Sequence, residues 1–246
     1  MDYLYDETFD GFLTCVYHHY YSEKASGIFP TSSYQHNLLN DCVTVESDEE
    51  KADIVYNAIN EKISEYDLKR IYRAFHTDTN NKEMKLLKYI CLGFKSGSKI
   101  RLQHANQIVL DIQEAEYRIA FEVHRLCGLV RFSVISAGEN EILYSTIEPD
   151  SDVLEFLAPH FTDRFHKSAF IINDLKRNKA LVSLNREWEI RNDFDISKIQ
   201  YAKSEMEYRA LWKQYFEIMA IKERVNPKCQ RNFMPIRYWK HLTEIK

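Results

Sequence analysis

Glu122, Arg125 and Arg131, in the stretch EVHRLCGLVRF (residues 122 to 132), are the first residues whose types and spacing suggest chemistry. Glu122 and Arg125 are three apart and so share a face near the end of a helix. Arg131 follows on a strand, where alternation sets it opposite Val130 and Phe132. A carboxylate and two guanidiniums at a helix–strand junction suit the gripping of a phosphate or the polarising of a substrate. The same three groups would equally form a structural ion pair that fixes the junction. A second cluster, HFTDRFHKSAF (160 to 170), offers Arg164 and an Asp163/His166 pair with acid–base character, and a surface loop explains it as well.

The third stretch is ERVNPKCQRNFMPIRYWKHLTE, residues 223 to 244. Arg224, Lys228, Arg231, Arg237 and Lys240 are interleaved with Phe233, Tyr238 and Trp239, while Pro227 and Pro235 bracket what reads as an extended piece. Cations neutralise phosphates and rings stack on bases, so this composition suits a polyanion that carries flat rings. Packing of the same tail on the domain, with rings buried and cations solvated, is the competing expectation. The two combine as a stiffened cationic ridge anchored by its aromatics. Charge along the chain sharpens the point. Residues 1–70 hold 14 acidic against 5 basic side chains, a net −9, whereas residues 212–246 hold 3 against 8, a net +5. The overall charge of −4 therefore conceals a cationic end.

Other chemistries are not supported. There is no glycine-rich phosphate cradle, HExxH, EF-hand loop or GxSxG. Five cysteines, widely spaced and without a CxxC, read as reduced and mostly buried thiols and exclude a cysteine-ligated metal cluster. No cofactor and no metal are expected. No apolar run is long enough to cross a bilayer, and the start MDYLYDETFDGF lacks the pattern of a signal peptide. The expected setting is the cytoplasm, with no membrane contact.

These residues must be positioned by elements whose periods are legible. DYLYD alternates as a strand and GFLTCVYHHYYS has helical spacing, whereas SGIFPTSSYQHN reads as loop. VTVES reads as a strand, after which Ser47, with Glu50 as the partner of a capping box, opens one long helix over 48–77. KEMKLLKYICLGF is helical, FKSGSK is a flexible break, and residues 106–128 form the most regular helix, stopped at Gly128. The period then changes to two. Strands flank the turn AGEN, a short helix covers SDVLEFLAPHF, and further strands are separated by turns at Asn173–Asp174 and Asn185–Arg186. A final helix over SEMEYRALWKQYFEIMAIKER stops at Asn226–Pro227. The expected class is α+β: an antiparallel sheet of about four to six strands with helices packed on it, preceded by a largely helical N-terminal half. One domain over 1–246 is expected, the alternative being a mainly helical acidic part at 1–95 and an α+β part at 96–246.

The C-terminal pattern resembles a bacterial family of unknown function described as DNA metabolism proteins. The matching positions include Leu211, Trp212 and Tyr215, then Glu223, Arg224, Asn226, Pro227, Lys228 and Gln230, then Met234, Pro235, Arg237, Tyr238, Trp239, Lys240 and Glu244. Glu122, His124, Arg125, Gly128, Arg131 and Phe132 match its central motif, and HFTDRF another. The opening YDETFDGFL resembles the family's Y-D-G-S-F-x-G-x-L, with Glu7 where Gly is usual and Thr8 where Ser is usual; the departures imply a looser loop rather than lost chemistry. The resemblance implies a role in DNA metabolism or repair. It also implies a partner, a radical S-adenosylmethionine protein of DNA repair or modification, and kinship with domains fused to uracil-DNA glycosylase-like proteins. Two expectations of different class follow, beside a protein–protein adaptor that never touches DNA. In the first, a nucleic-acid-binding module, Arg224, Lys228, Arg231, Arg237 and Lys240 contact phosphates and Tyr238 or Trp239 stacks on a base. In the second, an enzyme acting on a damaged or modified nucleotide, Glu122 serves as acid or base and Arg125, Arg131 and Arg164 stabilise charge.

Overall fold

The computed structural model describes residues 1–35, 41–137, 140–195, 200–202 and 204–245. The chain divides into two compact units, Met1–Ile119 and Ala120–Lys246, each with its own core.

The first unit is built on a three-stranded parallel sheet in the order β2-β1-β3, from Gly27–Pro30, Asp2–Tyr5 and Cys42–Thr44. β1 and β3 are the strands expected at DYLYD and VTVES within a largely helical half; β2 is the addition. β2 was expected as loop because Gly27 and Pro30 are breakers; at the edge of a sheet they end a strand without costing a central ladder bond. Parallel sheets are covered on both faces, and β1 is buried along its whole length. Five helices share a core with it: α1 (Phe9–Tyr21), α2 (Glu49–Lys62), α3 (Glu65–Phe75), α4 (Lys82–Ser96) and the start of α5 (Gln107–Leu129). The single helix expected over 48–77 breaks at Ile63–Ser64, because Ser64 caps α3 by accepting from the Asp67 amide. Asp48, not Ser47, caps α2; the Ser47 hydroxyl donates to Asp6 instead. FKSGSK continues α4 and enters a 3₁₀ turn at Gly97–Leu102.

At the end of β1, Asp6 accepts from the Thr8 amide and from the hydroxyls of Thr8 and Ser47. Thr8 in turn caps α1. A Cβ on Gly11 would lie 2.3 Å from Asp6, so only glycine lets the carboxylate approach the helix start. Glu7 sits at φ 66°, a left-handed conformation that favours glycine and strains any other side chain.

The second unit carries a five-stranded sheet in the order β4-β5-β6-β7-β8: Ser133–Ala137, Asn140–Ile147, Phe170–Asp174, Lys179–Leu184 and Glu187–Asn192. The sheet is mixed. β5 and β6 pair in parallel because α6 (Leu154–Arg164) is the crossover between them; the other neighbours are antiparallel. Residues 200–202 lie beside β4, joined by Ser136 N–H to Gln200 and Ala202 N–H to Val134. Asn173 and Asp174, expected in a turn, are fully buried strand residues. The turn at Asn185–Arg186 is where it was expected, with both residues at positive φ (53° and 71°). Of the turn AGEN, Gly138 and Glu139 lie outside the described residues. One face of the sheet packs Ile172 and Leu181 against Leu126, Leu157 and Phe161.

The chain ends in α7 (Glu205–Met219), a short 3₁₀ turn, α8 (Pro227–Phe233) and a 3₁₀ segment Ile236–His241. The piece between the two prolines, expected to be extended, is helical: Asn226 caps it by accepting from the Cys229 amide and Pro227 takes the first position, where its missing N–H costs nothing. Cys15 alone among the five cysteines is fully buried, and Cys229 is exposed. Among the described residues no helix is long and apolar enough to cross a membrane.

Candidate functional site

Glu122 is the hub of the second unit. Its side chain is buried in α5, where Oε1 accepts from the Asp150 amide at 2.8 Å, the Tyr238 hydroxyl at 2.8 Å and Arg237 Nη2 at 3.2 Å. Oε2 accepts from the Ser151 amide at 3.0 Å. One carboxylate therefore ties the loop before α6 to the C-terminal segment. Arg237 also pairs with Asp150, and burial together with Glu122 drives the Tyr238 hydroxyl up to about 12. An acid–base role for Glu122 would require these bonds to open first.

Arg125, one helical turn on, lies over the Phe121 ring at 4.0 Å and donates to the Asn232 carbonyl at the end of α8. Arg131 lies in the loop before β4 rather than on the strand. Its guanidinium clasps Glu244, with Nη2 to Oε1 at 2.7 Å, and the Trp212 indole N–H donates to the same carboxylate at 3.0 Å. Burial alone would raise the Glu244 pKa, but the bonds from Arg131 and Trp212 outweigh it and hold the acid below its ordinary range.

Three of the four central candidates thus reach the C-terminal segment, each through a bond that fixes it. Arg164 is apart: it is exposed and lies over Phe165. His166 bonds the backbone carbonyl of Asp163, not its carboxylate, so the two do not form an acid–base pair.

The C-terminal candidates divide into two groups. Tyr238 is only 2% exposed and faces the core; Trp239 is half-buried, with its indole N–H on the Met234 carbonyl. Arg237 is paired as described, and Lys240 pairs with Glu148 at 2.6 Å. Arg224, Lys228 and Arg231 are exposed and have no ion pair among the described residues. Lys228 and Arg231 share one face of α8, where like charges repel unless an anion lies between them. Exposed rings near them in sequence include Phe233, at 73%, and, on α7, Phe216 and the stacked pair Trp212 and Tyr215.

A cavity of about 430 Å³ in this unit brings together Arg131, Arg209, Lys213 and His241. Sequence reading missed the last three, although Arg209 and Lys213, four apart on α7, form a stripe of like charge that could have marked them. Residues 80–244, well over half of the chain, match the domain of unknown function DUF4130.

The chain belongs to the DUF4130 family.

Every candidate residue from Glu122 to Glu244 lies inside the DUF4130 match, whereas the Asp6–Gly11 turn lies outside it. The match starts just before α4 and so crosses from the first unit into the second. No curated protein and no solved structure matches the chain.

Proposed function

We propose that this DUF4130 protein is a nucleic-acid-binding module of DNA metabolism, contacting the phosphate backbone through Arg224, Lys228 and Arg231. One observation carries the reading. These three cations have no ion pair among the described residues, while Arg131, Arg237 and Lys240 are each held by a nearby acid. Unpaired, exposed cations suit a surface that neutralises phosphates. Exposed Phe233, Trp212 and Tyr215 supply rings for unpaired bases, in place of Tyr238 with its ring turned inward. Arg237 and Lys240 serve mainly to anchor the segment. Action beside a radical S-adenosylmethionine repair or modification protein rests on the family resemblance of the sequence motifs.

The test is fluorescence anisotropy with labelled single-stranded and duplex DNA at low salt. Single strands are expected to bind more tightly than duplex, because stacking on exposed rings requires splayed bases. Joint replacement of Arg224, Lys228 and Arg231 by Ala is expected to abolish binding and leave the circular dichroism spectrum unchanged. Absence of binding to either form, with or without the partner protein, would rule the reading out.

A further inference from the structure

The cavity beside β4 and α7 uses residues other than the exposed cations of α8, and its chemistry is distinct. Arg131, Arg209 and Lys213 line it, with Ser133 and Thr146 among the hydroxyls and Tyr201 and Met206 among the less polar side chains. No Asp or Glu lines it among the described residues. The acids that hold the two arginines are elsewhere: Glu244 clasps Arg131, and Glu205, itself buried, accepts from Arg209 Nε at 2.7 Å. Glu205 also accepts from the Val134 amide, so it is fixed to the sheet edge. Arg209 is further oriented by a bond from Nη2 to the Ser133 hydroxyl at 2.8 Å, and its guanidinium lies over the Tyr201 ring at 4.9 Å. Lys213 has no ion pair among the described residues.

This is a preorganised arrangement. Two guanidiniums are locked by acids outside the cavity wall, so a ligand need not order them, and Lys213 adds a charge with no ion-pair partner among the described residues. The volume of about 430 Å³ lies within the range of small-molecule sites, roughly 300–1,000 Å³, and exceeds what a bare phosphate fills. A phosphate monoester carries close to two negative charges at neutral pH. We infer that the cavity binds a nucleoside monophosphate, the phosphate facing Arg209 and Lys213 and the ring lying toward Tyr201 and Met206. The group has two sources, a free nucleotide or the 5′-phosphorylated end of a DNA strand.

Titration calorimetry on the full chain distinguishes them, with adenosine and thymidine 5′-monophosphates as free probes and adenosine as the control lacking phosphate. Single-stranded DNA is tested with a 5′-phosphate and with a 5′-hydroxyl; the 5′-hydroxyl strand reads the α8 surface alone. A free monophosphate, or the 5′-phosphate strand in preference to the 5′-hydroxyl one, is expected to bind, and adenosine is not. Lys213→Ala, an exposed change that leaves the core untouched, is expected to weaken that binding about tenfold or more, the loss of one charge-assisted bond. Arg209→Gln is expected to weaken it further, and Lys167→Ala, distant in sequence and exposed, not at all. The inference is overturned if no phosphorylated probe binds better than its unphosphorylated counterpart. It is equally overturned if Lys213→Ala and Arg209→Gln, both folded, bind as the unaltered protein does.

Discussion

Glu122 and Tyr238 show what a charged motif does when it is turned inward. A hydroxyl donating to a buried carboxylate is a hydrogen bond to a charged group, and such bonds contribute about 1.5–3 kcal/mol. Tyr238→Phe keeps the ring and removes that bond together with the one the hydroxyl accepts from Arg237 Nη2, so urea unfolding is expected to show a loss of at least this size. A loss below about 0.5 kcal/mol, the usual scale of a surface change, would mean that the bond is absent in solution. Glu122→Ala is expected to cost more, about 3 kcal/mol or above, because it leaves two backbone amides and the buried Tyr238 hydroxyl without their acceptor. The opposite sign is expected at Arg186. Both residues of the β7–β8 turn have positive φ, which favours Asn followed by Gly, and this chain has Asn185 followed by Arg186. Arg186→Gly is therefore expected to raise stability by about 1 kcal/mol, read as a higher urea midpoint.

The element that organises the second unit is the C-terminal segment, tied down at Glu122, at the Asn232 carbonyl and at Glu244. The Glu244 tie makes it sensitive to acid. Because the folded pKa of Glu244 lies below its ordinary 4.5, the stabilisation is fully present above that value and is lost as pH falls through the depressed folded value. Acidification below about pH 4.5 is expected to loosen the segment and change the emission of Trp212, which bonds Glu244; in Glu244→Gln that titration should vanish. How much of this was legible in the sequence depended on the range of the signal. The stripe of α5, read at 106–128, appears at Gln107–Leu129, and the strands after it were visible by alternation. β2 was hidden because four residues between Gly27 and Pro30 are too few to show a period. The parallel pairing of β5 and β6 was hidden because direction is set by the α6 crossover and not by the strands themselves. At the site, Glu122, Arg125 and Arg131 were picked out by type and spacing. Their partners lie more than a hundred residues away, at Asn232, Arg237, Tyr238 and Glu244, and no local pattern encodes such a contact. Arg224 and Arg237 looked alike in sequence for the same reason; only the fold separates the cation that anchors from the cation left open.

At the scale of the molecule, the net charge of −4 would by itself repel a polyanion. A patch of unbalanced cations overcomes that repulsion only within about a Debye length, roughly 10 Å at 0.1 M salt. The account therefore requires local contacts, countable by the ions they release. The measurement that bears most directly on it is the salt dependence of single-strand binding, compared between the protein and the Arg224→Ala, Lys228→Ala, Arg231→Ala variant. Three phosphate contacts correspond to a slope of about two powers of salt concentration on a single strand. The account predicts that slope in the unaltered protein and its collapse in the variant. An equal slope in both proteins would contradict it, since the phosphates would then be held by cations other than these three.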